Sequence, residues 1–396
     1  MPTRPCWVEI RTRSLEENYR LLTGLAAGQA ELLAIVKADA YGHSLEICAP
    51  AAVRAGARWL GVTSVEEGVA ARGLCPEAHV LAIGGVFAGQ GAAVVEHRLT
   101  AVVWEQDQLG ELEGASRRAG AEAGSIPVHL EIDTGMSRQG VSPDGLSPLL
   151  ARFGPGSALR LEGVMTHLFA ADEADGRVTT EQLARLDQAL ERIEVLGQFP
   201  DWLNVGNSAA LLSGQAGRIA AFAGRHGMKA MLRPGLALYG LAPRFDPSFE
   251  PETEPEGMAA ALAALQPVLS WKTEVVSVRG VPAGAVVGYN GTFVATEPMR
   301  LALVAAGYAD GLDRRLGNRF SLLVRGQRAP LVGRISMDQA VLDVTEIAGV
   351  EAGDEVVILG SQGGETITAF DHAEAVGTIP WEVFTRIGAR VRRVAI

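Results

Sequence analysis

The chain has 396 residues, of which 48% are apolar, and its 35 basic against 46 acidic side chains give a net charge of -11. That is enough apolar material for a large core and two or three domains, and an acid excess with no Lys/Arg cluster argues against nucleic acid as a partner. Cys6, Cys48 and Cys75 are odd in number and lack metal-ligand spacing, the first residues lack the apolar core of a signal peptide, and no run of about 18 apolar residues occurs, so the expectation is a cytoplasmic protein with no membrane partner.

In chain order, eight short apolar runs lie between Leu32 and Gly240: 32–37, 59–63, 79–84, 99–104, 127–132, 160–167, 202–206 and 232–239. Stretches with helical spacing separate them. The clearest has Leu183, Leu186, Leu190 and Ile193 on one face, with Thr179 and Gln182 placed like a capping box. Strand and helix alternate, and eight units in about 210 residues match the size of a (β/α)8 barrel, with a doubly wound sheet as the alternative. The expected barrel domain spans 11–243. Prolines and glutamates crowd Arg244 to Gly257 and predict an exposed connecting loop, placed within a 244–264 connecting segment. Strand-like runs separated by glycine turns follow, at 273–278, 300–305, 321–324, 340–344 and 355–359, and predict a mainly β C-terminal domain over 265–396.

Candidate site residues sit where a barrel places its chemistry: Lys37, Arg138, His167, Asn207, Ser208 and Arg233 all fall at or just beyond the C-terminal ends of predicted strands. A desolvated lysine amine there can form a Schiff base with a carbonyl, although a strand-end lysine also snorkels to solvent. Taken alone, Arg233 before a proline is more often a surface or salt-bridging residue, and Asn207 reads as an ordinary helix N-cap as readily as a ligand-binding residue. The seven histidines show no paired metal-ligand spacing, so no metal is expected.

The stretch Ala34-Ile35-Val36-Lys37-Ala38-Asp39-Ala40-Tyr41-Gly42-His43 resembles the cofactor-lysine motif of alanine racemases. The resemblance continues in family order through Asp133-Thr134-Gly135-Met136-Ser137-Arg138, Thr166-His167, Asn207-Ser208-Ala209-Ala210, Arg233-Pro234-Gly235, Gly307-Tyr308-Ala309-Asp310-Gly311, Met337-Asp338-Gln339 and Ile379-Pro380-Trp381-Glu382-Val383. It implies a homodimer with shared active sites in which Lys37 carries pyridoxal 5'-phosphate (PLP). Lys37 and the partner subunit's Tyr308 then act as the two proton-transfer groups for interconverting L- and D-alanine, and the D-alanine serves peptidoglycan. It further implies that Tyr41, His167, Asn207, Ser208, Arg233, Gly235, Leu236 and Trp381 surround the cofactor. Arg233 meets the pyridine nitrogen, and Arg138 and Met337 hold the substrate carboxylate, with Glu131 and Asp338 in support. A phenol with pKa near 10 needs nearby positive charge or donors to act as a base, and His167 and Arg233 are the candidates. The strand at 6–10 is expected to join the C-terminal domain.

Two positions depart from the family. Glu131 stands where many members have a lysine modified to a carbamate, seven residues before Arg138, and a glutamate supplies an anion directly, predicting that Glu131 orients Arg138. Trp381 stands where a tyrosine that touches the phosphate is usual, which puts side-chain specificity in question. The rival readings are a serine or broad-specificity racemase of the same fold, a PLP-dependent amino-acid decarboxylase and a non-catalytic PLP carrier. The absence of a cysteine-centred segment in the C-terminal domain argues against the decarboxylase, and Tyr308 argues against the carrier.

Overall fold

The computed structural model describes residues 4–173, 176–245 and 255–396, which divide into two compact units. One unit comprises Arg13–Ala40 with Cys48–Pro267. The other comprises Met1–Thr12, Tyr41–Ile47 and Val268–Ile396. No described helix is long and apolar enough to cross a membrane.

The first unit is a closed parallel barrel of eight strands: Ala30–Ile35, Trp59–Val62, His79–Ala82, Thr100–Val103, Ile126–Glu131, Leu159–Met165, Trp202–Asn204 and Lys229–Leu232. Ala30, Glu31 and Leu32 pair with Ala230, Met231 and Leu232 to close it. Covered on both faces, these strands read as continuous apolar runs rather than alternating ones. The helix Arg177–Val195 buries Leu183, Leu186, Leu190 and Ile193 as the sequence predicts. It begins earlier than the capping-box reading implies, at a Gly176 N-cap, so Thr179 and Gln182 lie inside the helix and face inward.

Two further differences have local causes. The run expected as a strand over 232–239 stops at Leu232, because Pro234 and Gly235 cannot continue the ladder, and Leu236–Tyr239 form a 3-10 turn instead. Residues 246–254, the most Pro/Glu-rich part of the expected loop, lie outside the described residues. From Pro255 the chain is helical through Ala264, where proline opens the helix and an alanine-rich sequence carries it on.

The second unit is built on a nine-stranded sheet. Its centre is the long strand Leu269–Val281, flanked antiparallel by Glu355–Gln362, Met299–Val304 and the N-terminal strand Cys6–Ile10. Cys6–Ile10 also pairs parallel with Arg392–Ala395. Two short helices, Ala369–Val376 and Pro380–Thr385, complete this mainly β unit.

Candidate active site

At the carboxyl ends of the barrel strands, the organising group is Arg233, one residue past the last strand and only 5% exposed. Its Nη1 donates to the backbone oxygen and Oδ1 of Asn204, at 2.7 and 2.6 Å. Its Nη2 donates to the Thr166 carbonyl at 2.8 Å and to His167 Nδ1 at 3.0 Å. Four of the five guanidinium N–H groups are thus committed, and among the described residues the Nε–H has no partner. Burial lowers the Arg233 pKa to about 10, aided by Arg138 and opposed by Glu131, which leaves it charged at neutral pH.

Because Arg233 is the donor, His167 accepts at Nδ1 and carries its single proton on Nε2. Burial, then the charges of Arg233, Arg138 and Lys37, push its pKa down to about 3. Of the two ways His167 was expected to favour an ionised phenol, the positive charge is excluded. Its Nε2–H donor is what remains.

Lys37 lies two residues beyond its strand and is half-buried. Desolvation lowers its pKa, and the Arg138 and Arg233 charges lower it further, while the Glu67 carboxylate works the other way. The backbone after it is unusual: Ala38, Asp39, Ala40 and Tyr41 all have φ between 52° and 55°, a left-handed turn without glycine. Such a run costs roughly 1–2 kcal/mol per residue, so the surroundings must enforce it. Glu67 does part of this, accepting the Ala38 N–H at 2.6 Å with one carboxylate oxygen and the Thr63 N–H at 2.8 Å with the other. Burial pushes the Tyr41 phenol up to about 12. The next residue, Gly42, has φ +77°, and a Cβ there would lie 2.3 Å from the Phe384 carbonyl oxygen. Arg393 donates to the Gly42 carbonyl at 3.1 Å, which fastens this segment within the β unit.

The loop carrying Arg138 leaves the strand Ile126–Glu131. Asp133 Oδ1 accepts the N–H groups of Gly135 and Ser137, at 2.9 and 3.1 Å, which curls the loop. Arg138 is exposed at its end, and Glu131, Thr134, Arg138, Gln139, Thr166 and His167 line a common cleft. Among the described residues no hydrogen bond or ion pair joins Glu131 to Arg138. The buried Glu131 instead accepts from Gln139 Nε2 at 2.5 Å, and Gln139 also donates to the Ile83 carbonyl at 3.2 Å. Burial raises the Glu131 pKa, while the Gln139 bond and the charges of Arg233 and Arg138 oppose that rise. The Arg138 charge acts on Glu131 without a bond between them.

A cluster of short-range donors forms around Ser208. Asn207 caps the helix Ser208–Leu212, accepting from the Ala210 N–H at 3.1 Å while its Nδ2 donates to the Leu168 carbonyl at 3.1 Å. Its side chain is committed to that cap. Ser208 Oγ accepts the N–H groups of Gly235 and Ala237, at 3.0 and 3.3 Å, so the hydroxyl meets the start of the Leu236–Tyr239 turn.

In the β unit, the loops carrying Tyr308 and Met337 are stitched side by side. Tyr308 N–H donates to the Ser336 carbonyl and Ala309 N–H to the Met337 carbonyl, both at 3.0 Å. A Cβ on Gly307 would sit 2.3 Å from the Met337 oxygen, so only glycine permits this approach. Arg390 bridges the buried Asp310 and the exposed Asp338 at 2.8 Å each, and Arg4 also pairs with Asp310. Tyr308 and Met337 are left 43% and 53% exposed. Trp381 is half-buried on the helix Pro380–Thr385. Among the described residues no group of three or more His, Cys, Asp or Glu side chains can hold a metal ion.

The family model for the alanine racemase N-terminal domain matches residues 10–243, and that for the alanine racemase C-terminal domain matches 268–395. The chain belongs to the alanine racemase family.

It is 37% identical to an alanine racemase of Symbiobacterium thermophilum, over 98% of this chain and 97% of that one. Among solved structures it resembles the alanine racemase of D-cycloserine-producing Streptomyces lavendulae, with TM-score 0.87, 33% identity and coverage of 100% and 98%. It also resembles that of Bartonella henselae with covalently bound pyridoxal phosphate, with TM-score 0.80, 26% identity and complete coverage of both chains. Membership makes the chain an isomerase. Sequence reasoning about this alanine racemase family member missed Glu67, Gln139, Asn204 and Arg390. Each acts by holding another site residue, and a supporting contact between distant segments leaves no mark in the spacing.

Proposed function

We propose that the protein interconverts L- and D-alanine with pyridoxal 5'-phosphate bound to Lys37, as a cytoplasmic homodimer supplying D-alanine for peptidoglycan. The observation that carries this reading is the grouping of Lys37, Arg233, His167 and Arg138 beyond the carboxyl ends of the barrel strands, where burial and the arginine charges lower the Lys37 pKa, in a chain that matches the family along its whole length.

The donor set fits the cofactor. Lys37 supplies the amine, the Ser208 hydroxyl proton and the Leu236 N–H supply phosphate donors beside Gly235, whose own N–H is held by Ser208 Oγ, and the Nε–H of Arg233 is the donor left over for a ring nitrogen. Trp381 and Tyr41 complete the set by resemblance. When bound, pyridoxal phosphate supplies the electron sink that acidifies the α-C–H of an amino acid joined to it. Arg233 keeps its proton, so it hydrogen-bonds the ring without protonating it, which restrains side reactions.

Lys37 Nζ takes or gives the α-proton on one face, and its lowered pKa keeps a neutral fraction available for that task. Tyr308 of the partner subunit serves the opposite face, with the His167 Nε2–H as a donor that favours the phenolate. Arg138 grips the substrate carboxylate as a planar fork, and Met337 of the partner subunit assists. Glu131, fixed by Gln139, provides the anion near Arg138.

The test is borohydride reduction of PLP-loaded protein followed by peptide mapping. The cofactor is expected as a stable secondary amine on Lys37, and on no lysine in Lys37→Arg. Labelling at a different lysine in the native protein would refute the assignment.

A further inference from the structure

We propose, building on the alanine racemase reading, that Gln182 is a positioning residue that fixes the arm bearing Arg138 relative to His167.

Gln182 sits on the inward face of the helix Arg177–Val195 and is 1% exposed. Its Nε2 donates to Thr134 Oγ1 and to the His167 carbonyl, both at 2.9 Å, and its Oε1 accepts the Phe169 N–H at 3.2 Å. One amide thus ties the loop that leads to Arg138 to the loop that carries His167.

The hydroxyls beyond it are ordered by proton counting. Thr166 Oγ1 has one proton and donates it to the Ile132 carbonyl at 2.9 Å. The 2.8 Å contact between Thr134 and Thr166 therefore runs from Thr134 to Thr166. Thr134 accepts from Gln182 and passes its own proton on, giving a directed chain from Gln182 through Thr134 and Thr166 to Ile132. All three side chains are buried. Arg233 donates to the backbone oxygen of the same Thr166, so the chain passes a residue that is also held by the guanidinium bonded to the His167 ring. A buried amide with most of its hydrogen-bonding capacity met specifies one geometry, and the elements it specifies are the two that carry the carboxylate grip and the neutral histidine.

The experiment compares Gln182→Leu, Thr134→Val and Thr179→Val in the PLP-loaded enzyme, measuring KM and kcat for L-alanine, the dissociation constant of propionate by calorimetry, and the melting temperature. Thr179 is the control. It lies on the same helix, is equally buried, and its hydroxyl has no partner among the described residues. A misplaced carboxylate grip weakens substrate before and during reaction alike. Gln182→Leu and Thr134→Val are therefore expected to raise KM and the propionate dissociation constant by about tenfold or more, with kcat changed by less than about threefold. Thr179→Val should change neither. Should Gln182→Leu fail to fold, the isosteric Thr134→Val decides. Folded variants that melt earlier but keep wild-type KM and propionate binding would overturn the proposal, since the amide would then serve stability alone. A wild-type protein that binds propionate but leaves L-alanine unchanged would refute the parent reading, and propionate weakening in the variants would still decide this one.

Discussion

Arg233 and His167 settle one question of charge between them. The arginine donates, so the histidine must accept, and the folded site refuses His167 a second proton until pH about 3, against an ordinary value of 6.5. In the unfolded chain the same residue takes a proton near pH 6.5. Between about 6.5 and about 3 the unfolded state therefore binds more protons, and His167 costs stability progressively as pH falls through that window. Urea unfolding of the wild type and of His167→Gln at pH 7.5 and pH 5 should show the wild type losing more stability on acidification. Parallel losses would contradict a neutral, buried His167. The residue types at Lys37, Arg138, His167 and Arg233 were legible in the sequence because reactive side chains at strand ends stand out against apolar runs. The bond from Gln139 to Glu131 was not legible. A glutamate seven residues before an arginine reads as an anion that orients it, and only the packing shows that the adjacent amide takes the contact while Arg138 stays exposed.

At the scale of elements, the eight barrel strands could be located because parallel strands covered on both faces are short continuous apolar runs. The last of them was placed too late along the chain, since apolar residues after Pro234 and Gly235 look like a strand but turn into a 3-10 helix. The helix Pro255–Ala264 was hidden by the prolines and glutamates before it. The left-handed turn after Lys37 had no signal at all, because alanine has no preference for positive φ. That turn makes a direct prediction. Ala38 is exposed, so changes there affect backbone strain more than packing. Ala38→Gly should be neutral or slightly stabilising, and the β-branched Ala38→Val should cost about 2 kcal/mol or more, read by urea denaturation. Equal stability of the two variants would mean that the turn is not held in the left-handed region.

At the scale of the whole molecule, the proposed proton carriers lie in different units, Lys37 in the barrel unit and Tyr308 in the β unit, and Tyr308 is 43% exposed. If active sites are shared across a homodimer, two inactive variants should rescue each other. A mixture of Lys37→Ala and Tyr308→Phe chains, unfolded and refolded together, should recover about a quarter of the wild-type activity, because half of the dimers are mixed and each mixed dimer has one complete site. No recovery would argue that each chain builds its own site. The two-unit architecture was legible because the period of the apolar pattern changes beyond about Leu265, whereas side-chain preference was not, because the only pointer to it is the indole at Trp381. The most direct test of the central claim follows the α-hydrogen of L-alanine, L-serine and larger amino acids by proton NMR in heavy water with the PLP-loaded protein, alongside chiral analysis of the same samples. The account predicts fast exchange and racemic product with alanine, faster than with serine. Exchange that favours serine or larger side chains would transfer the assignment to a broader racemase and implicate Trp381, and no exchange with any substrate would contradict racemisation altogether.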